Sequence, residues 1–375
     1  MKKFLAFATL ASVALVGCVN DEKMEMTSDA QKISFDTPVM STQTRAVPGE
    51  IKGTTYPDGE QFVVFAKQTS GNLKTWNDGT NFWSSTDESI VVKKEADNNW
   101  QHASKDYYWP KSTTDDEFKL SFNAYSPSEL GGGAAFCNNG GLTIQNFSVN
   151  NTVNQQVDLM YSGPILNRTE KLDGVNGVQV QFKHALSSVV FAAVEYDDAA
   201  SYKINSIKVN GNFTHTATFA ENLTQTSGSE YAYTSTEAAK AAWTAVITND
   251  VTYEPVVVTA GVPSVGSTSD ASTIAAAVKE VTNGTSAILP IPQAIPTDAT
   301  VEINYTVTPT NGVPTTYTKT IRLLEFTKAD GVHYINKWDM ATRYTYVIKF
   351  GGTKPIFFVP KVTEWVNADA VYFEI

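Results

Sequence analysis

Short stretches in which apolar and polar residues alternate recur along this chain, and they constrain its fold more than any other feature. Every second residue is apolar in residues 118–125, from Phe118 through Leu120 and Phe122, and residues 301–307 repeat the pattern. A period of two is typical of a half-buried strand in an antiparallel sheet, because successive side chains point to opposite faces. The sequence therefore predicts an all-β protein.

Further segments with strand patterns or β-branched residues are separated by turn signals. They lie at residues 61–66, 89–93, 178–182, 189–194, 204–209, 254–259, 317–323 and 344–350. Many short strands of this kind are typical of β-sandwiches. Alanine is dense only at residues 236–246 and 272–281, where we predict short helices.

The chain length bears on the number of domains. With 375 residues, the chain exceeds the usual size of a single hydrophobic core, which favours two domains. Residues 166–177 are polar and contain glycine, and we place a boundary there. The sequence thus predicts an N-terminal β-sandwich over residues 46–176 and a C-terminal β-sandwich over residues 177–375.

The N-terminus has the pattern of an export signal. Lys2 and Lys3 precede an apolar stretch, residues 4–16, that is too short to span a bilayer as a stable anchor. The stretch ends at Gly17-Cys18 and resembles a bacterial lipobox, which implies a signal peptide over residues 1–17 and an acylated Cys18. Acyl chains on Cys18 would anchor the protein to the outer membrane. An ordinary signal peptide with an incidental cysteine is the alternative.

Residues 18–45 read as a tether that carries a strand. Ile33, Phe35 and Val39 share one face of an extended segment, and Pro38 predicts an edge strand. A polar loop with a single basic residue follows, in which a trypsin-like protease would find Arg45 followed by Ala46.

Composition and spacing exclude several function classes. The net charge is −11 and basic residues do not cluster, which argues against nucleic-acid binding. With Cys18 in the leader, Cys137 has no partner, so an intramolecular disulfide framework is excluded. The sequence shows no nucleophile–base arrangement and no metal-ligand spacing. We therefore predict no catalytic, cofactor-binding or metal-binding residues, and we interpret His184 as a packed or capping side chain.

A series of short motifs, each weak by itself, occurs in a characteristic order. The motifs are Thr44-Arg45-Ala46, Tyr108-Trp109-Pro110, Phe122-Asn123-Ala124-Tyr125-Ser126-Pro127, Phe182-Lys183-His184-Ala185-Leu186, Leu289-Pro290-Ile291-Pro292-Gln293 and Val362-Thr363-Glu364-Trp365. With this series, the chain resembles the fimbrillin, or Mfa-like, family of type V pilus subunits.

The resemblance implies a fold, a route of maturation and a set of partners. The fold would be two transthyretin-like antiparallel β-sandwich domains in tandem. An arginine-specific surface protease would cut the outer-membrane lipoprotein after Arg45 and release the leader strand. A strand from another pilin subunit would then fill the vacated groove in a surface fimbrium. A host or bacterial surface ligand stays an open possibility.

The C-terminus offers a candidate donor strand. Val371, Phe373 and Ile375 alternate with polar or amphipathic residues at the end of the chain. The same pattern would suit an ordinary final strand of the second sandwich. The rival function is an outer-membrane-anchored, glycan-binding surface lipoprotein that does not polymerise.

Overall fold

The structure is a computed structural model whose described part is dominated by strands. It describes residues 31–36, 61–86, 88–94, 100–102, 105–111, 118–174, 176–225, 231–233, 241–257, 261–282, 284–328, 335–351, 366–367 and 371–374. Within these ranges the helices are short, and the prediction of an all-β protein is confirmed.

The first part of the chain contributes twelve described strands. They are β1 (Phe35–Asp36), β2 (Gln61–Ser70), β3 (Thr80–Asn81), β4 (Ser89–Lys94), β5 (Trp100–His102), β6 (Phe118–Ser126), β7 (Ala134–Asn138), β8 (Gly141–Ser148), β9 (Met160–Tyr161), β10 (Ile165–Arg168), β11 (Val178–Gln179) and β12 (Lys183–His184). One helical turn, α1 (Glu170–Asp173), precedes β11.

The remaining described strands follow after residue 187. They are β13 (Ser188–Glu195), β14 (Ala200–Glu221), β15 (Leu223–Gln225), β16 (Tyr231–Tyr233), β17 (Ala241–Tyr253), β18 (Lys279–Glu280), β19 (Gln293–Ala294), β20 (Thr300–Pro309), β21 (Thr315–Arg322), β22 (Thr327–Lys328), β23 (Lys337–Trp338), β24 (Thr342–Phe350), β25 (Val366–Asn367) and β26 (Val371–Glu374). The helix α2 (Ala271–Ala277) begins where the carboxylate of Asp270 accepts the Thr273 N–H at 2.7 Å.

Three sheets contain most of these strands. The first runs in the order β11–β1–β5–β4–β2–β6–β9–β12, with β3 beside β2 and β10 beside β6. The second runs β21–β20–β14–β8–β7, with β17 beside β14. The third runs β18–β13–β24–β26–β22, with β25 beside β24. Two small pairs, β15–β16 and β19–β23, complete the pattern.

The third sheet departs from the antiparallel arrangement that we expected. Strand β24 is parallel to β13, to β25 and to β26. Parallel neighbours need a long crossover, and the chain from β14 to β23 supplies one between β13 and β24. The local alternation of residues 344–350 does not reveal this direction, because it is the same for either orientation.

Two large apolar cores form around these sheets. One includes Phe35, Phe62 and Phe122 and belongs to the first sheet. The larger core gathers residues from both halves of the chain, among them Phe65 in β2 and Tyr346 in β24. Sheet pairing also crosses residue 177, since β11 and β12 join the first sheet while β7 and β8 join the second. The tandem division at residue 177 stays a prediction.

Most predicted strands are confirmed, but two elements near residue 250 were predicted wrongly. The helix predicted at residues 236–246 is wrong, because β17 begins at Ala241 and pairs with β14, with a register shift that skips Val246. The strand predicted at residues 254–259 is wrong in its described part, since β17 ends at Tyr253 and residues 254–257 form no strand. Helix α2 confirms the first part of the helix predicted at residues 272–281.

Candidate functional site

The predicted leader strand lies inside the first sheet. In β1, Phe35 is in register with Trp100 of the antiparallel β5 and with Val178 of the parallel β11. The strand therefore has a neighbour on each side, and the prediction of an edge strand is wrong. Pro38 indicated an edge strand from local sequence alone. The second neighbour, β11, comes from a segment that is distant in sequence.

Main-chain hydrogen bonds hold the leader on its first side. The Ile33 N–H donates to the Tyr107 carbonyl at 2.8 Å, and the Gln31 carbonyl accepts the Trp109 N–H at 3.0 Å. These bonds extend the ladder N-terminally of Phe35. The aromatic motif around Trp109, noted in the sequence, thus supplies backbone partners to the leader.

Equivalent bonds hold the second side. The carbonyls of Ser34 and Asp36 accept the N–H groups of Val178 at 2.9 Å and of Val180 at 2.8 Å. The side chain of Gln179 donates to the Asp36 carboxylate at 3.0 Å. Residues 31–36 are therefore bonded on both sides, as a central strand must be when it is buried.

Two leader side chains fill the core beneath the sheet. Ile33 is 3% exposed and Phe35 is 2% exposed. The Phe35 ring makes edge-to-face contacts with Phe122 at 5.6 Å and with Phe62 at 6.1 Å between ring centroids. Burial of an apolar side chain of this size contributes roughly 1.5–3 kcal/mol. Removal of the leader would leave an apolar slot between β5 and β11.

A partly buried ion pair lies in the turn that brings β11 beside the leader. The Arg168 guanidinium donates twice to Asp173, at 2.6 Å and 2.5 Å, and Asp173 is almost fully buried. This bidentate bond raises the pKa of Arg168 and fixes the turn around α1. The carbonyl of the next residue, Gly174, accepts a hydrogen bond from the Gln31 side chain.

Gly177 allows the leader and β11 to approach each other. Its φ of +78° is one that favours glycine, and a Cβ at this position would lie 3.1 Å from the Phe35 carbonyl carbon and from the Ser34 hydroxyl. Sequence reasoning treated Gly177 as linker punctuation. In the sequence, Asn176-Gly177 comes directly before an apolar alternation and so indicates a turn. It does not indicate that the turn lies beside the leader.

The other predicted maturation residues have no structural account. Cys18, Val39, Arg45, Ala46 and Ile375 lie outside the described residues. Lipidation and proteolytic processing therefore stay predictions.

The candidate donor strand is paired within its own subunit. Strand β26 lies between β24, with Val371 opposite Tyr346, and β22, with Tyr372 opposite Thr327. The described C-terminal segment is thus the last strand of the third sheet in this chain. Donation to another subunit would require it to leave these two neighbours.

Polar side chains away from the slot have structural partners. The His184 Nδ1 lies 2.9 Å from a carboxylate oxygen of the buried Asp158. The carboxylate of Glu221 accepts hydrogen bonds from the Asn123 side chain and the Leu142 N–H, each at 2.7 Å. Burial, assisted by the Glu221 carboxylate, raises the pKa of the Cys137 thiol well above its usual range. A raised pKa disfavours the reactive thiolate.

Within the described ranges, no group of three His, Cys, Asp or Glu side chains is placed to hold a metal ion. Among the same residues, no helix is long and apolar enough to cross a membrane.

A family comparison bears on the whole fold. The model of the fimbrillin-like family matches residues 44–365, which is more than half of the chain. The chain belongs to the fimbrillin-like family. This membership supports a fimbrial subunit or adhesin at the cell surface, in contact with other pilin subunits.

Solved structures also resemble the fimbrillin-like chain. A fimbrial protein from Bacteroides vulgatus is 17% identical, with a TM-score of 0.49, and the match covers 85% of this chain and 94% of that one. A candidate cell adhesion protein from Bacteroides ovatus is 14% identical, with a TM-score of 0.42 and coverage of 85% and 92%. A search of curated proteins found no match.

Proposed function

We propose that this fimbrillin-like chain is a structural subunit or adhesin of a fimbrium that assembles by strand exchange. In this scheme the precursor is anchored to the outer membrane through Cys18 and cut after Arg45. The position of β1 carries the proposal. This strand precedes Arg45, whereas both of its neighbours, β5 and β11, follow it. A single cut would thus break the covalent link between a central strand and the rest of its sheet.

The empty slot would be a strong acceptor for a new strand. Loss of residues 31–36 leaves the Tyr107 carbonyl and the N–H groups of Trp109, Val178 and Val180 without their present partners. Unpaired backbone groups beside an apolar groove favour strand addition, which restores the hydrogen bonds and the burial together.

The C-terminal strand has the residue pattern that the slot requires. Residues 33–36 read Ile-Ser-Phe-Asp and residues 371–374 read Val-Tyr-Phe-Glu. Both have a β-branched residue, then Phe two positions later, then an acid. In this register Phe373 of one subunit would replace Phe35 of the next, and Glu374 would lie where Asp36 accepts from Gln179.

Cleavage is tested with Arg45→Lys, a variant that keeps the positive charge and removes the arginine side chain. An arginine-specific protease should convert the precursor to a form that begins at Ala46, and Arg45→Lys should resist it. N-terminal sequencing of the surface protein measures both results. A surface protein that begins at Ala46 in the Arg45→Lys strain would contradict processing at this bond.

Strand exchange is tested on the cut protein. A peptide with residues 371–375 should bind the cut form once the cleaved leader has dissociated, and it should not bind the Arg45→Lys precursor, whose slot stays filled. The same peptide with Phe373→Asp is the matched control, because the slot would have to bury its charge. The rival glycan-binding lipoprotein would be favoured by a different result. The cut protein would then bind neither peptide, remain monomeric and bind carbohydrate on a glycan array.

Anchoring is tested at the predicted acylation site. Cys18→Ser should abolish incorporation of labelled palmitate and move the protein from the outer-membrane fraction to the soluble fraction. Cys137→Ser serves as the control, since that residue lies in the folded body. Palmitate labelling that survives Cys18→Ser would contradict the lipoprotein assignment.

A further inference from the structure

Donation of the C-terminal strand opens a second slot in the subunit that donates it. In the single chain β1 lies between β5 and β11, and β26 lies between β24 and β22. When β26 of one subunit enters the slot of the next, its own place in the third sheet is vacated. We call this place the third-sheet slot, and the place of β1 the leader slot.

An empty third-sheet slot would uncover part of the apolar core. Tyr346 and Ile348 of β24 are fully buried and belong to the larger core. Val347, between them, is 2% exposed and belongs to a smaller apolar cluster on the other face of the sheet. Strand β26 is in register with all three residues. Its departure would therefore expose apolar side chains and leave main-chain groups of β24 and β22 unpaired.

The cut that opens the leader slot also frees a strand. Before assembly, β1 and β26 of each subunit occupy the two slots. After β26 has been transferred, the leader slot holds a neighbour's strand, whereas the third-sheet slot is empty and residues 31–36 are unbound. The exchange therefore supplies one free leader for every vacated third-sheet slot.

The two slots require the same strand directions. Strand β26 is parallel to β24 and antiparallel to β22, just as β1 is parallel to β11 and antiparallel to β5. In the register of β26, Ile33 would lie opposite Tyr346 and Phe35 opposite Ile348. The apolar residues of the leader would then face the larger core, because residues in register share a face of the sheet.

Charge complementarity selects a strand with an acid at its fourth position. Lys349 of β24 is 4% exposed, and its neighbours in register are Glu374 on one side and Val194 on the other. A buried ammonium that loses a carboxylate from its surroundings is strongly unfavourable. The leader would bring Asp36 to the position of Glu374, so it meets this requirement.

On the basis of the proposed function, we propose that the freed leader enters the third-sheet slot as the C-terminal strand leaves it. The two strands exchange places, and both slots of each subunit stay filled during assembly. The leader carries the predicted acylation site, Cys18. The subunit therefore stays attached to the outer membrane while its C-terminal strand is transferred.

A first disulfide reporter follows the leader slot. The full-length chain carries Cys18→Ser and Cys137→Ser, so that only introduced thiols can pair. In this background Asp36→Cys with Gln179→Cys is the leader-slot reporter, because the two positions are in register in the uncut chain. Its disulfide should form in the precursor. It should no longer form in washed fibres that an arginine-specific protease has allowed to assemble.

A second reporter follows the third-sheet slot in the same background. Ser34→Cys with Val347→Cys is the third-sheet reporter, and it leaves the charges of Asp36 and Lys349 in place. Its disulfide should be absent from the precursor and present in the fibres, where mass spectrometry would find the leader joined covalently to the body of a subunit.

The charge requirement has a matched pair of variants. Added to the third-sheet reporter, Asp36→Asn should lower covalent retention of the leader at least about tenfold, since Lys349 would lose its carboxylate. Asp36→Glu carries the acid that residue 374 has, and it should retain the leader. Equal retention with Asp36→Asn would overturn the selection of the leader by charge.

Two further results separate this inference from the proposed function. Fibres in which neither reporter forms would overturn the inference and leave strand exchange intact. A cut protein that forms no fibres and keeps the leader-slot disulfide would overturn both. Fibres of mixed Val347→Cys and Tyr372→Cys subunits that become linked to each other would also overturn the inference, because a second copy's C-terminal strand would then fill the slot.

A last measurement needs no substitution in the folded body. Washed fibres of the Cys18→Ser chain should contain one leader, residues 1–45, for each subunit by quantitative mass spectrometry. Fibres without the leader would overturn the inference even if a reporter variant failed to fold.

Discussion

Phe35 is the side chain through which the leader contributes most to the precursor's core. It lies between Phe62 and Phe122 and is almost fully buried. We expect Phe35→Ala to lower the free energy of unfolding of the uncut precursor by about 3–5 kcal/mol, because the removed ring leaves a cavity. Urea unfolding followed by tryptophan fluorescence measures the change.

Asp36→Ala is the neighbouring control, since Asp36 is exposed and its loss should cost at most about 1 kcal/mol. After the leader has been cut and has dissociated, Phe35→Ala should no longer change the free energy of unfolding. A precursor that tolerates Phe35→Ala as well as Asp36→Ala would contradict the packed position of the strand.

Buried tyrosines predict an alkaline limit to stability. Burial raises the pKa of Tyr125 to about 12, and it also raises the pKa of Tyr253, Tyr344 and Tyr346. In the unfolded chain these phenols ionise near pH 10. Their contribution is therefore fully present below about pH 10 and is lost as the pH rises towards 12. Urea unfolding between about pH 8 and 11 should show this decrease, and Tyr125→Phe should reduce it.

Residue-level prediction succeeded where the signal was local. The alternation around Ile33 and Phe35 predicted a buried strand face, and both side chains are buried. Gly177 and the backbone of Val180 were not predicted as its neighbours. Their role depends on a contact across more than a hundred residues, which a single sequence does not display.

At the scale of elements, the fit between β1 and β11 depends on one glycine. Gly177 and Gly71 have φ values of +78° and +80°, but a Cβ at Gly71 would meet nothing within 4 Å. We expect Gly71→Ala to cost about 1–2 kcal/mol for its backbone conformation alone. Gly177→Ala should cost more, because its methyl group also presses on the leader.

The two glycine variants are compared in the uncut and the cut protein by thermal unfolding. The excess cost of Gly177→Ala should disappear once the leader is absent, while the cost of Gly71→Ala should stay the same. An excess that persists in the cut protein would show that Gly177 serves the fold without reference to β1.

Strand β17 shows why an element can be misread from sequence. Alanine density at residues 236–246 predicted a helix, yet the chain from Ala241 onward pairs with β14. Helix propensity differs among residues by less than about 1 kcal/mol and is overridden when a neighbouring strand offers a full ladder. The sequence signal that indicated a strand was the set of β-branched residues between Thr244 and Thr248, because such side chains fit a pleated surface.

At the scale of the molecule, the larger core joins the two predicted domains. Phe65 and Tyr125 lie before residue 177, whereas Phe219 and Tyr346 lie after it, and all four belong to one cluster. We expect a single cooperative calorimetric transition, with equal calorimetric and van't Hoff enthalpies. Two resolved transitions would instead support independent domains over residues 46–176 and 177–375.

The overall class and the order of most strands could be predicted because alternation is a local property. The order of the strands within each sheet could not be predicted in this way. Strands β1 and β11, or β13 and β24, meet across long sequence separations, and their own residues fit several partners equally well. Pairing of this kind is decided by the core as a whole.

The hydrogen bonds on both flanks of the leader bear on the timing of assembly. Hydrolysis of one peptide bond after Arg45 would leave every contact of residues 31–36 in place. It would change only their effective concentration, since a segment joined to its site becomes a separate ligand that can dissociate. The dwell time of a cleaved leader, and not the cut itself, would then set how soon a subunit accepts its neighbour. A competing strand would shorten that time by displacing the leader one residue pair at a time.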